Sequence, residues 1–576
     1  MRKFFFFLMF ICVCVFSVQY TANAWEFTTS GEFEYRYRYV ARTGPNDLFG
    51  NVNTAQSFGS SGVTTIGLAG PILNIVSPEG YSSKGSSGSL LDQRLIISPT
   101  IKVNPAITIK SEYALQGNLN APLNSYYPSY AGWIVPTSRG PETEAGFSFG
   151  QWRSAWIVAQ TPIGTISAGR RPFGFGLGWS GFHVDDFTTS SIQLTVPYGP
   201  LSFLFAYDLA DTGEYTDPLD VRNVNLTPLT ATSAWDTNEI RKWNVYAGLK
   251  YMSADLDIGY LSRFIYYQHI HATPALVVTT LRDDQTASFA AQFLGPQDSG
   301  EPIYGDISFL QQTLYAKYFN GRFFLNAEYT LQNVNAKRTG GREISGWPKA
   351  YEVELGAVAG PVKTSLAYFY RSGHDRSGAV LNTTSQNGTT VTGAIVNDTW
   401  NQYILFGGGG EAISPYAYLI GLYGGGNNAY DRVGKPTFLD FRAAAIRLDY
   451  AVASNLNIYG SFLYAQRAST TGTWKGQFNG GVGQAITTGD NIPDSNLGTE
   501  LGLGIDWKLL ENLSLNTRFA YWEPGAWFKY AYQDLASINT SASGGAPGAG
   551  VQAIPVTPGR SIDPIMGFDV RMLVNF

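Results

Sequence analysis

From Glu32 to Tyr39 this chain alternates charge and aromatic ring without a break. Glu32, Glu34, Arg36 and Arg38 interleave with Phe33, Tyr35, Tyr37 and Tyr39. Successive side chains of a strand point to opposite faces, so this period of two predicts a ribbon with one wet face and one greasy face. The pattern recurs. Leu95, Ile97, Ile101 and Val103 alternate with Arg94, Ser98, Thr100 and Lys102. Asn104-Pro105-Ala106 interrupts, and Ile107, Ile109, Tyr113 and Leu115 return against Thr108, Lys110 and Glu112. Strand, tight turn, strand and long polar connection form the repeating unit.

Tight turns are expected at Asn104–Ala106, Pro162–Gly164, Pro197–Pro200, Ser253-Ala254, Asn320-Gly321, Gly360-Pro361, Ala453–Asn455 and Leu510–Asn512, where Gly, Pro, Asn and Ser supply the geometry. Asn320-Gly321 is the strongest signal and predicts a type I′ hairpin, because both residues tolerate positive φ. With a first and a last strand outside these hairpins, the chain holds about 18 strands. They are expected near 29–41, 91–103, 106–118, 147–161, 164–172, 188–197, 200–211, 239–252, 255–268, 306–319, 322–335, 349–359, 362–373, 437–452, 456–468, 497–509, 513–523 and 563–576. Residues 374–436 include two more strand-like stretches, Tyr403–Phe406 and Tyr416–Tyr423. As one folded loop they leave eighteen strands; as a hidden hairpin they make twenty.

No segment after the N-terminus carries 18 consecutive apolar residues, so no helix spans a membrane. Alternating strands span one differently. Lipid satisfies no backbone N–H or C=O, so a sheet there must close on itself. The expected fold is therefore all-β: a transmembrane antiparallel up-and-down β-barrel with short periplasmic turns, long extracellular loops and both termini periplasmic. The mean hydropathy of −0.08 fits, since lipid-facing and lumen-facing residues average out. So do 35 Tyr, 35 Phe and 13 Trp, which suit strands and interfacial girdles. The net charge of −5 is mild for 576 residues and points to no nucleic-acid partner.

Arg2 and Lys3, the apolar run Phe4–Val18 and Ala22-Asn23-Ala24 read as a cleaved secretory signal over residues 1–24. Residues 25–576 are then a single barrel domain. Both cysteines, Cys12 and Cys14, fall in the leader. The remainder lacks the thiols needed for disulfides, iron–sulfur clusters or covalent haem, and no cofactor is expected.

The final strand alternates Phe568, Val570, Met572, Val574 and Phe576 with Asp569, Arg571, Leu573 and Asn575. It resembles the C-terminal signal of bacterial outer-membrane barrels, which implies recognition by the barrel assembly machinery and a place among outer-membrane lipid and lipopolysaccharide. Gly164-Thr165 to Gly169-Arg170-Arg171 is similar to a G-T-x-x-x-G-R strand of many bacterial porins, in which the arginine reaches the pore. Strict alternation puts Arg170 on the lipid side with Ile166 and Ala168; a bulge at Gly169 would reset the parity. Leu497–Trp507, Asn512–Leu515 and Trp522–Gly525 resemble the closing hairpin of 18-stranded porins of the alginate-export type, over roughly the last eighty residues. The resemblance implies a passive channel for small hydrophilic solutes, some of them anionic. It leaves a homotrimer open, and no pattern marks an interface.

A barrel of ~18 strands is too wide for side chains to fill. Its candidate pore-lining cations are Arg36, Arg38, Arg94, Lys102, Lys110, Arg153, Arg171, Lys242, Arg263, Lys317, Arg322, Arg371, Arg447 and Arg518. The candidate acids include Glu328, Glu354, Glu500 and Asp506. Either a cationic ladder selects anions, or interspersed signs make a lattice of ion pairs around a general pore. Two connections are too apolar to be freely solvated, Gly62–Val76 and 374–436. Each is open to three roles: plug, subunit contact or lid strand. Gly174, Gly176 and Gly178 mimic a phosphate loop, but no helix follows.

The four histidines, His183, His269, His271 and His374, all lie in predicted external loops. None is placed for a wall-mounted Ser/His pair, and neither catalysis nor metal binding is expected. A rival to the porin reading is a barrel sheath insulating a partner such as a multihaem cytochrome in an outer-membrane electron conduit.

Overall fold

The computed structural model describes residues 25–42, 87–118, 148–179, 188–208, 241–272, 303–338, 343–373, 380–386, 389–395, 413–420, 441–468, 494–526 and 563–576. They contain the strands β1 (Glu26–Arg42), β2 (Ser87–Asn104), β3 (Ile107–Asn118), β4 (Ser148–Thr161), β5 (Gly164–Pro172), β6 (Thr188–Tyr198) and β7 (Leu201–Asp208). There follow β8 (Arg241–Met252), β9 (Leu256–Ala272), β10 (Ile303–Phe319), β11 (Phe323–Arg338), β12 (Glu343–Gly346), β13 (Lys349–Ala359) and β14 (Val362–Arg371). The last seven are β15 (Val380–Gln386), β16 (Thr389–Ile395), β17 (Phe441–Ala453), β18 (Leu456–Arg467), β19 (Asn496–Leu510), β20 (Leu513–Pro524) and β21 (Ile565–Asn575).

Neighbours in sequence are neighbours in the wall, all antiparallel, and β21 pairs back onto β1 from Glu32↔Asn575 to Arg42↔Ile565. The seam is completed by Gly31 and Phe576, which exchange both backbone hydrogen bonds. Because β12 and β13 pair in turn with one strand, β11, they are two pieces of one wall strand, broken at Trp347-Pro348. Proline cannot donate to a ladder, so the break falls there. β14 pairs directly with β17, while β15 and β16 form a separate hairpin. The wall thus has eighteen strands, closed, with no free edge. The twenty-stranded alternative fails, because β14 pairs directly with β17: of the two stretches that suggested it, Tyr416–Tyr423 lies off the wall as far as Ile420, where the described residues stop, and Tyr403–Phe406 lies outside them.

The eight tight turns fall where Gly, Pro, Asn and Ser marked them, with one correction. At 320–323 the central pair is Gly321-Arg322, not Asn320-Gly321. Asn320 N–H donates to Phe323 O (3.2 Å), and Gly321 sits at φ +85°, in the first central position where a type II′ turn takes glycine. The Asn320 side chain explains the shift: its Oδ1 accepts the N–H groups of Arg322 (3.1 Å) and Phe323 (2.7 Å). Asn104 does the same for Ala106 and Ile107. Arg322 is consequently an exposed turn residue over the Phe323 ring, and the expectation that it lines a pore is corrected.

The outer face is apolar. Leu501, Leu503, Ile505 and Trp507 on β19, Ile446, Leu448 and Tyr450 on β17, and Leu325 and Tyr329 on β11 all stand exposed on it. Soluble monomers do not expose apolar surface on this scale, and the architecture is that of a transmembrane barrel. Leu503→Arg should therefore cost about 2–4 kcal/mol near the membrane midplane, whereas inward-facing Asp506→Asn should leave assembly nearly unchanged. Denaturant titration of the folded band on unheated gels measures both. Equal losses would contradict the face assignment.

Candidate functional site

The inner face carries most of the described wall charges, and several of them form pairs. Arg36 forks onto Asp569 (Nε–Oδ1 2.8 Å, Nη2–Oδ2 2.9 Å) across the β1–β21 seam. Arg94 reaches Glu32 (2.6 Å) and Glu34 (2.9 Å), and Arg571 donates to Glu34 from the other side (3.1 Å). Arg371 donates to Glu352 at 2.6 Å, both fully buried. Arg447 chelates Asp449 (2.7 and 2.9 Å) and stacks 3.7 Å from the Tyr459 ring centroid, with Asp506 3.7 Å away. Arg518 donates to the Tyr459 hydroxyl (3.2 Å). Arg263 lies buried over the Tyr246 ring, and Lys317 lies over Tyr315.

Near the short-turn rim Lys102 and Lys110 are exposed, Lys102 standing 3.9 Å from Glu26. Arg38 and Lys242 lie within β1 and β8, and their side chains are outside the described residues. So is that of Arg153, which is skipped in the pairing between Glu112↔Ser154 and Tyr113↔Trp152 and is thus the extra residue of a bulge.

On β5 the pairings run past Gly169 without a shift. Alternation therefore holds: Arg171 is buried with Ser167 on the inner face, donating to Ser191 (3.2 Å), and Arg170 is exposed with Ile166 and Ala168 on the outer side.

Two segments leave the wall and fold against its inner face, and sequence reasoning anticipated only one of them. Residues 413–420, from the apolar connection 374–436, pack Ile413, Tyr416, Ala417, Tyr418, Leu419 and Ile420 onto Phe369, Phe441, Leu463, Leu497, Trp522 and Ile565. The inner wall beneath them is apolar, so the wet face that the alternation predicts is interrupted there. Pairing to the wall accounts for the placement. Buried Glu500 accepts the N–H groups of Tyr418 (2.5 Å) and Ile420 (2.6 Å), and Arg447 Nη1 donates to Pro415 O (2.9 Å). The Tyr416 hydroxyl donates to Glu354 (2.7 Å) and lies 3.0 Å from Ser365 Oγ. Burial, then the facing Glu354 carboxylate, raises its pKa above the ordinary tyrosine range. Glu354 also takes Asn326 Nδ2 (2.8 Å).

The second segment is 173–179, directly after β5. Phe173 and Phe175 insert beside Ala206, Tyr246, Leu261 and Tyr315, with Leu177 packed against them. Glu328 accepts the Leu177 N–H (2.9 Å), and Arg371 donates to Trp179 O (2.8 Å). The glycines between the rings, read in the sequence as a loop, allow this close approach. Gly176 has φ +77°, and a Cβ there would stand 2.9 Å from Glu328 Oε2. The missed signal was the alternation Phe-Gly-Phe-Gly-Leu-Gly-Trp, a ribbon with one bare side.

His269 and His271 belong to β9, which runs on to Ala272 against β10, rather than to a loop. Their side chains lie outside the described residues, as do His183, His374 and Gly62–Val76.

No protein-family model and no curated protein matches this chain. Solved structures are similar in architecture. The outer membrane protein opdK from Pseudomonas aeruginosa shares 9% identity over 95% of this chain and 99% of that one, with a TM-score of 0.42. OccK2 (OpdF) of Pseudomonas aeruginosa, solved in complex with glucuronate, shares 10% over 95% and 96%, with a TM-score of 0.41. OmpT, an outer membrane protein of Vibrio cholerae, shares 8% over 97% and 100%, with a TM-score of 0.34. Likeness at this level assigns no solute, residue role or subunit number to this chain.

Proposed function

We propose that this chain is an outer-membrane porin: a water-filled channel for passive diffusion of small hydrophilic solutes, narrowed by residues 173–179 and 413–420. The observation that carries the reading is a closed eighteen-strand wall, apolar outside and lined inside by hydrogen-bonded charge pairs. Eighteen strands enclose more space than wall side chains fill, and buried charges are tolerated when paired. The long-connection rim faces outward, both termini lie in the periplasm, and residues 1–24 are a cleaved leader.

The wall residues Arg36, Arg94, Arg371 and Arg447 each hold a carboxylate. That supports the general pore over a cationic ladder, so ion selectivity should be weak. A sheath around a large partner fits less well, because two segments already occupy the inner wall. Purified protein in a planar bilayer should give stepwise ion currents, with a reversal potential near zero under a salt gradient. Absence of current in any salt would sink the channel, and a strongly anion-selective potential would restore the ladder.

A further inference from the structure

The outer face holds two cations that the described residues do not neutralise. Pairing places Tyr329, Tyr351, Tyr370, Arg442 and Gln466 in one row across five adjacent wall strands, near the long-connection rim. Tyr351 and Tyr370 stack at 4.6 Å between ring centroids. Lys349 stands one ladder step beyond Tyr351, beside exposed Trp347. Tyrosine and tryptophan concentrate where hydrocarbon meets headgroups, so this row marks the edge of the apolar band.

Arg442 is exposed on it. Its Nε donates to Gln466 Oε1 (2.9 Å), and Gln466 Nε2 donates on to the Tyr464 hydroxyl (2.7 Å). This chain orients the guanidinium by one edge and uses neither terminal nitrogen. Among the described residues neither Arg442 nor Lys349 has an ion pair. The outward carboxylate Glu523 is three strands from Arg442, roughly 14 Å at ordinary strand spacing. On the inner wall, by contrast, Arg36, Arg94, Arg371 and Arg447 are each held by a carboxylate.

An arginine on a lipid-facing surface is unfavourable in hydrocarbon and tolerated at the headgroup level. We infer that Arg442 and Lys349, two strands or about 10 Å apart, form a binding site for the phosphates of an outer-leaflet phosphorylated lipid, with Trp347 and Tyr351 against its upper chains. Charge complementarity selects that occupant: a planar, pre-oriented guanidinium recognises phosphate bidentately. The site rests on the membrane orientation proposed above.

The test is native mass spectrometry of the full protein in phosphatidylcholine nanodiscs doped with bis-phosphorylated lipid A, or with the same lipid stripped of phosphate. The unaltered protein should retain the phosphorylated lipid. The double variant Lys349→Gln/Arg442→Gln should retain about ten- to thirty-fold less, as expected for two lost cationic contacts, with unchanged channel conductance. The dephosphorylated lipid should bind both proteins equally. Equal retention of phosphorylated lipid by two conducting proteins overturns this site and leaves the channel standing, as does a change in subunit number without a change in retention, which would make the patch a contact between copies. Protein that neither inserts nor conducts removes the channel and the site together.

Discussion

Arg371→Ala should cost the barrel about 3–5 kcal/mol, the penalty for leaving a buried charge without its partner. Arg371 and Glu352 are both fully buried, and the guanidinium also donates to Trp179 O. Alanine therefore strands Glu352 on the inner wall and frees one end of the 173–179 segment. Arg371→Lys should recover only part of the loss, because an ammonium cannot reproduce the fork that reaches Glu352 and Trp179 together. The paired change Arg371→Met/Glu352→Leu should recover more, since an apolar pair removes the uncompensated charge. Denaturant titration of the refolded barrel orders the four proteins. If the double variant is as unstable as Arg371→Ala, the ion pair is not the source of the loss.

The next largest effect is expected at Glu500. Its two oxygens accept the N–H groups of Tyr418 and Ile420 in a site closed to water. Glu500→Ala leaves both donors unmet, at about 1–3 kcal/mol each, against a segment otherwise held by apolar contact and by Arg447 and Tyr416. Residues 413–420 should then detach from the wall and sample the lumen. Single-channel records should show added flicker and brief closures at unchanged bilayer composition. Glu500→Gln keeps one acceptor oxygen and should flicker less. A folded Glu500→Ala channel as quiet as the parent would mean the carboxylate does not pin the segment.

Both residues were legible in the sequence as inward-facing charges, but not as anchors. Period-two alternation reports which face a side chain occupies; it says nothing about what comes to meet it there. Glu500 and Arg371 looked like pore lining, and they hold two inward segments by backbone groups some 80 and 190 residues away in the chain. The apolar character of 374–436 did announce a buried fate. The Phe-Gly repeat at 173–179 carried the same message in a form easily mistaken for a loop. Arg322 was misplaced for a local reason, the Asn320 side chain moving the turn by one residue.

Alternation, turn residues and the absence of an apolar helix were enough to determine the strands, their order and the two faces of the wall, because each is a property of neighbours in the chain. The choice of eighteen strands over twenty, the break at Trp347-Pro348 and the docking of residues 173–179 and 413–420 were decided only in three dimensions. They depend on which distant groups satisfy buried N–H, C=O and charge, and a linear pattern does not contain that matching. The same matching separates Arg36, Arg94 and Arg371, each met by a carboxylate of a neighbouring strand, from Arg442, which faces outward with no ion pair among the described residues.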